Sequence, residues 1–463
     1  MHFPDIRSRP IHVFVLGLDE HNLDVLRSMP DADQYRFHEV FGYEDIFQPE
    51  IDFDHLLEQA DALIAAREVP VDAIIGFWDF PVTALVPLLR RRYGLKPDSI
   101  EEVVRCEHKY WSRLLQQEVI GEYPAFALVD PHAPPKLPAG LSFPVWIKPV
   151  KSFASMLALA AANEQEYAAA IRRIRGGVAR FGKPFATLMR HVDLPADIAA
   201  AGGEACIAEE AVEGHQVTAE GYRHQERTTI YGLVDSIRYA GTSCFLRYQY
   251  PSVLPDRVQQ RMQEISHRVM DHVGLQRSTF NIEYFWDPET DKIALLEINP
   301  RHSQSHASLF QHVDGAANHA ILLDLALGRE PAHPYRQGRY AVAGTWFVRR
   351  FSDGVVRRHP TTAEVAAIEA RWPGVEIEIT ARADMQLSAM HGQDSYSYRL
   401  ATVFIGADSQ KEMEDCFEQV RKALRFDIDD LPDSSADEAG AFVLSQEPQS
   451  SPIALSSQGC VFW

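Results

Sequence analysis

The stretch "FNIEYFWDPETDKIALLEINPR", Phe280 to Arg301, constrains this chain more than any other. Two apolar runs flank the turn-rich "DPETD", which predicts a β-hairpin. Side chains alternate faces along a strand. Period two puts Asn281, Glu283 and Phe285 on one face of the first strand, and Ile293, Leu295, Glu297 and Asn299 on one face of the second. A hairpin centred near Thr290 sets Glu283 opposite Glu297. Opposed Cβ atoms lie roughly 4.5–5.5 Å apart, where two carboxylates repel unless a cation lies between them. Asn299 adds a neutral oxygen, and Arg301 on the same face can fork onto phosphate. Hard oxygen ligands of this kind suit Mg²⁺. The bland alternative is a solvated hairpin face with idle charges.

The rest of the chain sets the frame. A length of 463 residues implies roughly three domains. The formal charge of −20 argues against a nucleic-acid footprint. It leaves room for anionic substrates at a locally basic or metal-bearing site. Five cysteines (Cys106, Cys206, Cys244, Cys416, Cys460) are widely spaced without C-x-x-C, which predicts reduced thiols and a cytoplasmic protein. No signal-peptide order and no apolar run near 20 residues is visible, so neither export nor a membrane partner is expected. The terminal "CVFW" has the form Cys-a-a-X, but Trp is not a usual prenylation residue.

Strands at Ile11–Leu16 and Val71–Phe77, with helical periodicity between and after them, predict a small parallel α/β domain over residues 1–104. It lacks G-x-G-x-x-G, so a dinucleotide fold is not indicated. Residues 105–332 read as two α+β subdomains, containing the helix through "CEHKYWSRLL", the strand closing on Lys148, and the hairpin. Strands at "YAVAGTWFVRRF" and "YRLATVFIGA", with an amphipathic helix, make 333–430 mixed α+β. Residues 431–463 turn polar and read as a flexible tail.

Four pieces in order resemble the ATP-grasp superfamily, over about residues 10 to 330. "NIEYFW…LLEINPR" resembles its metal-binding hairpin, and "CEHKYWSRLL" the helix whose lysine reaches ATP, here Lys109. "FPVWIKPV" resembles the strand with the second ATP lysine, here Lys148, and "AEEAVEGHQVTAEGY" the hinge strand lining adenine and ribose. The resemblance implies ATP with Mg²⁺ or Mn²⁺, two ions, held by Glu283, Glu297 and Asn299. It implies Lys109 and Lys148 on phosphates, Glu209, Glu210 and Val212 around the nucleoside, and Arg301 with Lys148 as catalytic groups. The implied activity is carboxylate–amine ligation that forms a C–N bond and releases ADP. The partners are then a small-molecule acid and amine, and homodimers are frequent in the superfamily.

Two departures narrow the reading. The loop "KPVKSFASMLALAA" has no glycine where many relatives are glycine-rich, so Ser152, Ser155 and backbone amides would cradle phosphate. Biotin carboxylases, whose overall layout this chain resembles, carry a Glu-His pair after the Asn-x-Arg. Here that pair falls on Ser305 and His306. Serine cannot deprotonate bicarbonate, which disfavours a bicarbonate-activating enzyme. A non-catalytic ATP-binding module is the other alternative. Ser303, Gln304, Ser305 and His306 are expected to touch substrate, with Ser305 also suited to cap the next helix. Arg247, in "FLRYQYPS", is the expected carboxylate anchor.

Overall fold

A computed structural model of the chain describes residues 9–46, 50–96, 100–152, 156–390 and 397–431. At the N-terminus β1 (Ile11–Leu18), β2 (Tyr35–Gly42) and β3 (Ala73–Gly76) form a parallel sheet in the order β2-β1-β3. The apolar run of β1 is explained by cover on both faces. Phe14 and Leu16 enter one core cluster, and Val13 and Val15 enter another. Leu322 and Leu323, from the distant helix His319–Ala326, close that second cluster.

A second, antiparallel sheet holds β4 (Phe126–Val129), β5 (Val145–Pro149), β6 (Leu159–Ala161) and β7 (Cys206–Glu210), in the order β4-β7-β5-β6. The helix Glu164–Gly177 is capped by Asn163 and lays Tyr167, Ile171 and Ile174 against Val145, Ile147 and Leu159.

The remaining strands are β8 (His215–His224), β9 (Arg227–Arg238), β10 (Phe245–Tyr250), β11 (Ser278–Asp287), β12 (Lys292–Asn299), β13 (Val342–Arg350), β14 (Gly354–Arg358), β15 (Val375–Ile379), β16 (Tyr398–Ala407) and β17 (Asp427–Asp430). Eight of them make one sheet, β12-β11-β8-β9-β10-β13-β16-β15, while β14 and β17 pair separately. The strands expected in a C-terminal region thus join the hairpin's own sheet, through antiparallel pairing of β10 with β13.

Two amphipathic helices cover the back of this sheet. Asp256–Val273 packs Val258, Met262, Ile265 and Val269 with Phe280, Ile282 and Tyr284. Gln410–Ala423 packs Met413, Phe417 and Val420 with Trp346, Val403 and Ile405. Truncating a side chain such as Phe280 to Ala costs about 3–5 kcal/mol in a core of this kind. The front face carries the site. Among the described residues no helix is long and apolar enough to cross a membrane, and Cys106, Cys206, Cys244 and Cys416 are free thiols.

Candidate active site

The register of β11 and β12 opposes Asn281 to Asn299, Ile282 to Ile298 and Glu283 to Glu297, then slips so that Tyr284 faces Leu295. The opposed glutamates match the expectation from sequence; the shared faces on β12 do not. Ile293 and Leu295 pack in the core with Ile298, so Glu297 and Asn299 lie on the other face. The cause is a β-bulge that leaves Leu296 as the extra residue. Its carbonyl accepts from the Arg113 guanidinium at 2.7 Å. Without the bulge, Glu297 would point at the core.

The two carboxylates differ in their surroundings. Burial lifts Glu283 to about 7, and the nearby charge of Glu297 adds to the rise. Burial also pushes on Glu297, but Lys109 and Lys148 outweigh it and bring it down to about 2. Lys109 Nζ lies 2.7 Å from Glu297 Oε1 and donates to the Ser152 carbonyl at 3.0 Å. Gln216 donates to Glu283 Oε2 at 2.9 Å. The Asn299 amide nitrogen donates to Asn281 Oδ1 at 2.9 Å and lies 3.5 Å from Glu283 Oε1. Two acids and an amide oxygen suit a hard divalent cation that fills its shell with water and phosphate. No cluster of three or more His, Cys, Asp or Glu stands ready for a metal ion among the described residues.

The lysines are brought in by separate elements. His108 caps the helix Lys109–Val119, accepting from the Trp111 N–H, while the Lys109 N–H donates to the Val150 carbonyl at 2.9 Å. Lys148 stands on β5 with its Nζ 2.6 Å from Glu209 Oε2. Arg113 donates to the other Glu209 oxygen at 2.7 Å. Burial opposes the Glu209 charge, but these two cations hold its carboxyl below the ordinary range. The Glu209 side chain is therefore a buried anchor for Lys148, which corrects the expectation that it lies against the nucleoside.

Arg301 is fixed by a residue far away in the chain. Its Nε and Nη2 reach one oxygen of Asp79, in the segment after β3, at 2.8 and 2.7 Å. Sequence reasoning missed Asp79, although "GFWDFP" directly follows a parallel strand, a usual place for site residues. It also missed Lys151, which is buried and paired with Glu107, whose other oxygen accepts from Thr83 at 2.7 Å. Burial pushes Lys151 down to about 8 against the pull of Asp79 and Glu297.

The expected substrate contacts divide. The Ser303 N–H and the His306 ring both reach Glu220 Oε1, at 3.0 and 2.7 Å. His306 meets Tyr248 edge-on at 4.9 Å. Gln304 lies in the short turn Gln304–His306, where its Oε1 accepts from Ser305 Oγ at 3.4 Å. Ser305 does not cap the following helix: His306 holds that position, with no side-chain cap bond. Arg247 corrects a second expectation. It pairs with Trp346 across the ladder, on the back face, and its guanidinium lies 2.7 Å from Glu414 and 4.5 Å above the Trp346 ring. Strand parity gives the front face to Tyr248 instead. Ser152 is buried beside Lys109; Ser155 and the tail from 432 onward fall outside the described residues.

Comparison with known proteins follows the same lines. A profile for the ATP-grasp domain matches residues 141–308. The chain carries an ATP-grasp domain. Curated relatives are carbamoyl phosphate synthase large chains: that of Thermotoga sp. (strain RQ2) is 41% identical over 54 residues, and that of Arthrobacter sp. (strain FB24) 37% over 75. These matches take in 12% and 16% of this chain and only 5% and 7% of the relatives. Among solved structures, L-amino acid ligase from Bacillus licheniformis has a TM-score of 0.68 at 13% identity, over 91% of this chain and 99% of that one. N5-carboxyaminoimidazole ribonucleotide synthetase from Thermus thermophilus scores 0.60 at 14%, over 89% and 98%. The biotin carboxylase domain of Hydrogenobacter thermophilus 2-oxoglutarate carboxylase, in complex with MgADP, ADP and bicarbonate, scores 0.61 at 12%, over 91% and 92%. At such identities the likeness establishes the fold alone.

Within the ATP-grasp domain, β7 and β8 are joined by residues 211–214. Glu210 is exposed at the end of β7 and Val212 is half-buried in the connection. Gly214, at φ +123°, passes so close to the Trp286 carbonyl that a Cβ would collide with it.

Proposed function

We propose that the chain is an ATP-dependent carboxylate–amine ligase. The observation that carries this is the opposed Glu283–Glu297 pair, with Lys109 held on Glu297 and Lys148 on buried Glu209 beside it. Lys109 and Lys148 would leave Glu297 and Glu209 for the ATP phosphates, and Glu283, Glu297 and Asn299 would hold Mg²⁺. The ion, when bound, neutralises phosphate charge. Glu210 and Val212 would line the nucleoside, the role that the resemblance of the β7–β8 connection to the hinge strand implies. A substrate carboxylate attacks the γ-phosphate, giving an acyl phosphate and ADP. An amine then displaces phosphate and the C–N bond forms. Arg301, steadied by Asp79, would stabilise the acyl phosphate and the tetrahedral oxyanion. Catalysis is then mostly positioning and charge stabilisation.

Bicarbonate activation is the weaker reading, because Ser305 offers no carboxylate base and His306 is engaged by Glu220. The test is ADP formation against a matrix of acids and amines, with bicarbonate as control and product masses read out. A pair that stimulates ADP release and yields the condensed mass supports ligation. Bicarbonate-dependent turnover without any amine contradicts it.

A further inference from the structure

The front face extends past the glutamates toward a second, basic corner. Register carries it there strand by strand. Phe285 lies opposite Gln216, Gln216 opposite Ser236, Ser236 opposite Tyr248, and Tyr248 opposite Thr345. Two residues along β9, Arg238 faces Phe245 on β10, and four along β13, Arg349 faces Arg399 on β16. All three arginines thus share the face of Glu283.

Two arginines directly opposed repel each other. Here both guanidiniums lie over Phe347, at 5.3 and 6.0 Å, and Arg349 donates to the Phe245 carbonyl and to Ser397, each at 3.0 Å. Arg238 stands 5.0 Å over Phe285 and donates to Gln216, which in turn donates to Glu283. Its Nε is buried and, among the described residues, has no acceptor. A buried orphan donor is a place where a ligand or water belongs. Tyr248 lies between the two corners. Burial raises its hydroxyl, Glu283 adds to the rise, and Arg349, Arg399 and Arg301 oppose it.

Resting on the ligase reading, we propose that Arg238, Arg349 and Arg399 bind an anionic group carried by the amine substrate. The acid substrate gives up its carboxylate at Arg301, so a separate arginine cluster serves a second anion. That anion is a carboxylate, as in an amino acid, or a phosphate ester. Guanidinium forks suit both.

The test compares acceptors at a fixed acid and saturating ATP: amino acids, their carboxamides, and phosphoethanolamine as the phosphate-bearing amine. Wild type should prefer an anionic acceptor over the carboxamide by about 100-fold in kcat/KM. R349M and R399M should each erase most of that preference through acceptor KM, leaving the KM for ATP unchanged; R349K should restore part of it. An unchanged KM for ATP also shows that the variants fold. Preference for phosphoethanolamine supports the site and identifies its anion as phosphate. If wild type uses carboxamides as well as the acids, or the variants lose both equally, the basic site is wrong while ligation stands. If no amine raises ADP formation, the ligase reading itself falls.

Discussion

At one end of the front face Glu283 opposes Glu297 across β11 and β12; at the other, Arg349 opposes Arg399 across β13 and β16. Both pairs put like charges where a ladder disfavours them. Both sit beside a one-residue register slip, at Leu296 in the first case and Leu400 in the second. A bulge re-aims a side chain, and here two bulges bring like charges together. The pairs differ in how they are relieved. The acids are met by Lys109 and by a shifted proton equilibrium on Glu283, whereas the arginines rest on Phe347 and hydrogen-bonded neighbours. On the proposed reading, one end takes a cation and the other an anion, with the reacting groups between them.

Breaking the acidic end should have the largest effect. Glu297→Gln should lower amine-stimulated ADP formation by about 1000-fold, as loss of a main electrostatic contact does, read in a coupled assay with folding checked by circular dichroism. Loss at the basic end, at Arg349, is smaller and confined to the acceptor. Asp79→Asn should lie below both. It frees Arg301 without touching the nucleotide, so kcat should drop by about 10–100-fold with KM for ATP nearly constant; equal loss in both would contradict a positioning role.

The comparison is sharpened by pH. A carboxyl raised from 4.5 to about 7 in the fold contributes stability that is full below 4.5 and lost as pH rises through 7. Mg²⁺ should offset that loss, so its effect on Tm should be greater at pH 8 than at pH 6. In Glu283→Gln this pH dependence should flatten. A Mg²⁺ effect equal at both pH values would place the ion elsewhere. The smallest effects belong to residues outside both ends. Arg247→Met should leave acceptor KM unchanged and cost about 1 kcal/mol, since Glu414 is solvent-exposed. Ser305→Ala should stay within about 0.5 kcal/mol in stability, because no cap bond is lost.

The opposed glutamates were legible because a turn-rich centre sets hairpin register. The bulge was not: counting by two cannot see an extra residue, so Ile293 and Leu295 were given the wrong face. Arg247 failed for a related reason, since nothing local says which parity of β10 faces forward. Asp79 and Glu220 meet Arg301 and His306 across 222 and 86 residues of chain, and no periodicity spans such distances. The same holds for β10 and β13, whose pairing merges the C-terminal strands into the hairpin's sheet. Local pattern reads elements and short-range pairs, while the merging of sheets and the contacts between residues far apart in the chain are properties of the packed core.

The most direct measurement follows oxygen. With the acid substrate labelled by ¹⁸O in its carboxylate, an acyl phosphate intermediate transfers one label to the phosphate released with each amide formed. Phosphate carrying one ¹⁸O per product is the predicted result. Unlabelled phosphate alongside amide product would contradict activation of the carboxylate at the γ-phosphate.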